Sequence, residues 1–533
     1  MFKLLRPLSA ALGAALLCSC AGSSSPTATV AASTAHGTLA VNPPFRIASL
    51  NAAAFQAQLA ASGSGAQLLQ ITGNPSCGVD FYYIKFWTLG GAGETTQSSG
   101  ALMVPTGAAP ACSGPRPIVL YAHGTNPLKT LNIADITNTT NTEGALIAAM
   151  FAAQGYIVVA PNYAGYDIST LGYHPFLNAQ QQSGEMIDIL TAARTALPNT
   201  MSAATSDSGK LFVTGYSEGG HVAMATQRAL EASGAVVTGA APMSGPYALV
   251  TFGDAIFFGS VDIGSTEFSP LLTTSYQKAY ENIYTTPSDV YSATYANGIE
   301  TLLPSATPID TIFSTGLLPE TAEFDITTPV VAGSPTLTAF LSVPGTAGYP
   351  VPPNAQTPLF AAGFGSPYLI NNSFRVAYGA DALMNQDGGN SFFAQPGAPL
   401  PATEPVQTLR QAFYKNDLRN GAWEPKSPTL LCGGDGDPTV FFSVNTGTMQ
   451  TFWAPLVQAG LIQVLDVGAT PSGPFEAVQV GFQESQAAQL ALYESAAGGG
   501  LSPEAAAELI VENYHTSVAP FCTAAARAFF NAL

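Results

Sequence analysis

The chain has 533 residues, 47% of them hydrophobic, enough to bury a large core. Acidic residues outnumber basic ones 34 to 16, for a net charge of −18. That balance argues against binding of nucleic acid or an anionic membrane and favours neutral or weakly polar substrates.

At the start, Lys3 and Arg6 precede an apolar run from Leu8 to Leu17, then Cys18-Ser19-Cys20-Ala21-Gly22. The run is too short to span a bilayer, and the pattern resembles a bacterial lipoprotein leader with the lipid on Cys20. The reading is a leader over 1–20, a flexible tether over 21–45, and an exported protein. An outer-membrane or surface lipoprotein is expected, or otherwise a periplasmic or secreted protein. Without Lys3 and Arg6, 14 Lys+Arg stand against 34 Asp+Glu, a net of −20. The other four cysteines, Cys77, Cys112, Cys432 and Cys522, form an even set suited to two disulfides in an oxidising compartment.

Residues 46–245 read as the first part of an α/β core. Strands are expected over Phe81–Thr88 and Gly100–Val104, and Cys77–Cys112 would brace them. Arg116–Ala122 is a buried strand running into His123-Gly124-Thr125-Asn126. Lys210–Thr214 is another, followed by Gly215-Tyr216-Ser217-Glu218-Gly219 and a helix from His221 to Ala232. A G-x-S-x-G between strand and helix is a nucleophile elbow candidate: the serine needs a strained turn and the glycines permit close backbone approach. Ser217 is then the nucleophile, and its oxyanion donors are the backbone N–H of Glu218 and of Thr125, with Asn126 the fallback. His123 is expected to hold its loop rather than move protons.

From Ser217 to Asp437 is 220 residues, far more than one helix–strand step requires, so 246–422 is read as an insertion. It is rich in Tyr, Phe, Leu, Thr and Pro and is expected to form a mainly helical cap with an apolar acyl-binding cleft. The core resumes over 423–533. Pro428–Cys432 is a strand leading to Gly433-Gly434-Asp435-Gly436-Asp437, where Asp437 is favoured over Asp435 as the acid, because Asp437-Pro-x-Val440 and then a helix place its carboxylate at the strand's carboxyl edge, and Asp435 reads as a turn residue beside glycine. A helix from Val444, a strand over Leu461–Val467 and a helical insertion within Phe475–Glu512 follow. Of five histidines only His515 lies far enough downstream of Ser217 to be the base, in a loop before a helix over Phe521–Leu533. A Cys432–Cys522 bridge would clamp the acid loop to the base loop.

The chain resembles the α/β-hydrolases, and among them secreted lipase/esterase-type enzymes. The likeness is carried by Ala160-Pro-Asn-Tyr-Ala-Gly-Tyr-Asp167, His174-Pro-Phe-Leu177, Gly184–Arg194 and the elbow, in order, and again over Trp423–Asp466. Asn162, where relatives often carry Asp, and the 78 residues between Asp437 and His515 depart from the pattern. The resemblance implies a mostly parallel, doubly wound sheet broken by the cap, and a serine hydrolase cleaving small-molecule or polymeric esters with no metal or cofactor. Its one membrane contact would be the lipid anchor. Two alternatives remain at this stage: a serine aminopeptidase or oligopeptidase on the same fold, whose cap acids or Glu218 would take a peptide's amino terminus, and a non-catalytic surface protein.

Overall fold

The computed structural model describes residues 35–138, 141–389, 400–495 and 500–533. The leader, Cys18 and Cys20 lie outside the described residues. Eleven strands occur in chain order: β1 Phe45–Leu50, β2 Gly78–Leu89, β3 Thr95–Thr106, β4 Gly114–Ala122, β5 Ile157–Pro161, β6 Thr205–Tyr216, β7 Gly239–Met243, β8 Phe324–Asp325, β9 Phe364–Gly365, β10 Thr429–Gly433 and β11 Ile462–Asp466. Nine of them form one sheet in the order β1-β2-β3-β5-β4-β6-β7-β10-β11, while β8 and β9 pair separately. The β1-β2-β3-β5 pairings are antiparallel and the rest of the large sheet is parallel.

Strand β5, Ile157-Val-Val-Ala-Pro161, is a short apolar run buried on both faces, as a strand covered by helices on either side must be, and β4 and β6 become buried in the same way towards their carboxyl ends. Helices Thr142–Met150 and Tyr514–Asn531 contribute to the core on one face, with Phe151, Phe212 and Phe530 among its rings. Helices Ala179–Ala196 and Glu218–Ala232 close the other, around Ile189, Val213 and Val222. The result is a doubly wound α/β sheet whose parallel strands end at one edge, where ligands bind in such folds.

Between β7 and β10 the chain is largely helical, with Leu249–Phe257, Ser265–Tyr280, Asn372–Met384 and Thr408–Asn416 the longest segments. They share a separate apolar core that includes Leu271, Tyr276, Phe324, Tyr378 and Phe413, and Phe176 and Leu177 from the core domain pack into it.

Two expectations require correction. The tether does not extend to residue 45: Gly37 N donates to Trp87 O, Trp87 N to Thr38 O and Ala40 N to Lys85 O, at 2.8–2.9 Å, before β1 starts at Phe45. These are backbone bonds to an exposed edge, which composition cannot signal. His515 is not in a loop. It is the second residue of a helix that starts at Tyr514 and carries Pro520 inside it, and a proline there reads in sequence as a boundary.

Candidate active site

Strand β6 turns directly into helix Glu218–Ala232 at Ser217, whose backbone stands at φ 59°, ψ −122°. A non-glycine residue with positive φ is strained and persists where surroundings impose it. Here the flanking glycines supply room. A Cβ on Gly219 would sit 2.0 Å from Ala122 O, and one on Gly215 would sit 2.3 Å from Gly219 O and 2.5 Å from Ala122 O. The elbow is therefore pressed against the end of β4. Ser217 N is fixed by Met243 O of β7 at 3.0 Å.

Ser217 Oγ donates to His515 Nε2 at 2.9 Å, and His515 Nδ1 donates to Asp437 Oδ2 at 2.6 Å. Asp437 is 1% exposed, and its second oxygen accepts the amides of Thr439 and Val440 at 2.9 and 3.0 Å, so the carboxylate is held at both ends. Asp435, two residues earlier, is exposed at the surface. Cys432–Cys522 joins β10 to the helix bearing His515, with Cα atoms 5.6 Å apart, and Cys77–Cys112 joins the start of β2 to the turn before β4.

Thr125 and Glu218 both line the cavity that opens on Ser217, and neither backbone N–H has a hydrogen-bond partner among the described residues. Gly124 N is not available, since it donates to both oxygens of Glu143 at 3.1–3.2 Å. Glu143 also accepts from Tyr121 OH at 2.6 Å, and burial pushes its carboxyl up from the usual range. His123 lies across the same loop, with Nδ1 2.7 Å from Gly124 O, Nε2 3.2 Å from Asn162 O and its ring 4.1 Å from that of Tyr163.

Several supports were not read from sequence. Glu218 has a fully buried side chain whose Oε1 lies 2.7 Å from His174 Nε2 and accepts from Gln182 at 2.6 Å, which ties the first residue of the elbow helix to helix Ala179–Ala196. Tyr216 OH donates to the backbone carbonyl of His515. The Tyr514 ring occupies a seat carved by glycines: a Cβ on Gly434, Gly436 or Gly468 would fall 2.5–2.8 Å from it. The only sequence sign of that seat was the glycine density around Asp437, and turn chemistry accounted for it equally well.

An apolar cavity runs from Ser217 into the helical insertion, walled by Phe176, Leu249, Phe252, Ile256, Phe257 and Phe413 among others. Its apolar wall suits an acyl chain or another apolar group. Among the described residues no group of His, Cys, Asp and Glu has the arrangement of a metal site.

No family model and no curated protein sequence matches the chain. Solved structures do. The rice cell wall degrading esterase LipA from Xanthomonas oryzae is 26% identical, with 81% of this chain and 91% of that one covered at a TM-score of 0.58. A Legionella pneumophila protein described as a hydrolase is 17% identical, with 90% and 97% covered at a TM-score of 0.55. The fold is that of the α/β-hydrolases, in its lipase/esterase-like form. Ser217 at the strand-to-helix turn, Asp437 in the loop after β10 and His515 in the first turn of the last helix meet at the carboxyl edge of the sheet, in the chain order Ser, Asp, His that such a fold uses.

Proposed function

We propose that the chain is an exported serine hydrolase that cleaves carboxylic esters through an acyl-enzyme, with Ser217, His515 and Asp437 as its triad. The observation that carries this reading is the unbroken hydrogen-bond chain from Ser217 Oγ through His515 to a buried, doubly braced Asp437. Ser217 Oγ attacks the ester carbonyl while His515 Nε2 takes its proton, and the tetrahedral oxyanion accepts from the N–H groups of Glu218 and Thr125. Collapse expels the alcohol, which receives that proton from His515. Water, deprotonated by His515, then attacks the acyl-enzyme, and the acid leaves as the proton returns to Ser217 Oγ. Asp437 holds the imidazole tautomer and stabilises the imidazolium throughout.

The insertion over 246–422 acts as the cap, and the cavity beneath it takes the acyl chain or another apolar part of the substrate. At Glu218, Oε1 is engaged by His174 and Gln182 and Oε2 has no hydrogen-bond partner among the described residues, so the aminopeptidase alternative is separated by substrates. A kinetic screen of p-nitrophenyl esters from acetate to palmitate beside aminoacyl-nitroanilides tests the choice. Esters turn over and nitroanilides do not; the opposite pattern makes the protein a peptidase.

Export and anchoring rest on the leader pattern and agree with two disulfides. Cys20 is the lipid-bearing residue in this reading, so mass spectrometry of the mature N terminus finds a diacylglyceryl cysteine. An unmodified residue beyond Cys20 means ordinary secretion.

A further inference from the structure

One wall of the cavity is not apolar. Asp262 lines it at the start of helix Ser265–Tyr280, and Ser265 and Ser269 face it from the same helix four residues apart. Asp262 is 5% exposed, and its Oδ1 has no hydrogen-bond partner among the described residues. Behind it stands Glu323, 1% exposed, whose Oε1 accepts from Ser269 Oγ at 2.5 Å while Oε2 is likewise without a partner. Buried carboxyl oxygens in native structures are nearly always paired, so an unpaired one facing a cavity marks a place where a bound group supplies the partner.

The position of this wall fixes which part of a substrate it meets. Ile263 N, directly after Asp262, donates to Pro438 O at 3.1 Å, and Pro438 follows Asp437. Asp262 therefore lies at the reacting end of the cavity rather than at its far end beneath the cap. The chemistry of the pair narrows the ligand further. Burial and the mutual repulsion of the two acids push Asp262 well above the usual carboxyl range, and burial pushes Glu323 up to about 8. A neutral carboxyl both donates and accepts, and the group that complements it is a hydroxyl. An ammonium would itself have to be desolvated in this largely apolar cavity, at a cost only an ionised partner offsets.

We propose that Asp262, backed by Glu323 and Ser269, is a specificity-determining residue that hydrogen-bonds a hydroxyl within the first few carbons of the acyl chain, so that preferred substrates are esters of short hydroxy acids. The inference rests on the serine esterase reading above and adds a substrate class to it. No other part of the mechanism uses these two acids.

The test compares kcat/KM of the whole protein on p-nitrophenyl butanoate, either enantiomer of p-nitrophenyl 3-hydroxybutanoate, and the 3-aminobutanoate. A site built to hydrogen-bond a hydroxyl discriminates strongly against the analogue that lacks it, and at least one hydroxy enantiomer is expected to exceed butanoate by about tenfold or more. In Asp262→Ala that ratio falls towards one, while Asp262→Asn keeps part of it. The wild-type comparison decides even where a variant fails to fold. Equal rates on butanoate and both hydroxy esters, or a preference that survives Asp262→Ala, overturns the inference and leaves the esterase reading standing. Preference for the amino ester overturns it in favour of an ammonium site. No hydrolysis of any of the esters defeats the esterase reading itself, and this inference with it.

Discussion

At Asp437 two amide donors and one imidazole consume the carboxylate, whereas Asp435 is exposed and its own amide donates to Asp466 Oδ1 at 3.1 Å. Asp437→Asn is therefore expected to lower turnover by about 10⁴, as loss of the orienting acid does in other triads, and Asp435→Asn to stay near wild type. Steady-state kinetics on one p-nitrophenyl ester ranks the two, and the reverse ranking moves the acid to Asp435. Ser217 and His515 were legible because each stood nearly alone: one serine sat between strand and helix, and one histidine followed it at sufficient distance. The preference between two aspartates two residues apart rested on the Pro-x-Val and helix after Asp437 and on turn chemistry at Asp435. Glu143, Tyr216 and the seat of Tyr514 were not legible, since each is defined by contacts with residues far away in the chain. Nothing local distinguishes Glu143 from a solvated acid on a helix, yet it occupies Gly124 N and so leaves Thr125 as the donor that faces the cavity.

Strands and helices carry these residues, and their joints decide whether the triad stays in register. The Cys432–Cys522 bridge spans 90 residues and links β10, which ends four residues before Asp437, to the helix whose first turn holds His515. Cys77–Cys112 spans 35 residues and joins the start of β2 to the turn before β4. Loop entropy assigns about 4 kcal/mol of stability to either bridge. Their effects on activity differ. The Cys432→Ala/Cys522→Ala pair is expected to lower kcat at temperatures where far-UV circular dichroism still reports a folded chain, and Cys77→Ala/Cys112→Ala to lower the melting temperature with kcat little changed below it. Identical behaviour of the two pairs in activity and melting would mean that the bridge near the triad is only a staple. Of the parallel strands, β4, β6, β10 and β11 were readable as apolar runs, while β5 and β7 were not read. The start of the last helix was misread because Pro520 sits inside it, where packing against the sheet overrides the local preference.

Buried charge ties the insertion over 246–422 together from within. Arg410 bonds Asp254 and Asp381, and Arg419 bonds Asp387 and Asp417, all at 2.6–3.0 Å. Asp417 also accepts Val250 N, and Asn416 O lies 3.0 Å from His221 Nε2 of the elbow helix, so the end of the cap is fastened to the element that starts at Ser217. None of this was visible in the sequence, where the insertion could be delimited by its length but not joined to the core. The insertion also buries carboxyl groups. Burial raises Glu323 to about 8 and Glu267 to about 7, against 4.5 for a free glutamate. Raised carboxyls stabilise the fold fully below 4.5, where both states are protonated. Between 4.5 and 8 the unfolded chain releases protons that the folded one keeps, so this stability is lost as pH rises. The melting temperature is expected to fall from about pH 5 to about pH 8, and less steeply in Glu323→Gln, as thermal melts across that range will show. Parallel slopes in the two proteins would contradict a buried proton on Glu323.

Ser217, His515 and Asp437 form one relay at the edge of the sheet. Its most direct test is the turnover number of Ser217→Ala and His515→Ala on the best ester, measured on protein whose melting curve matches wild type. Both are expected to lose on the order of a millionfold, as knockouts of the nucleophile or base do in other triads. Turnover within tenfold of wild type in folded His515→Ala would contradict the account.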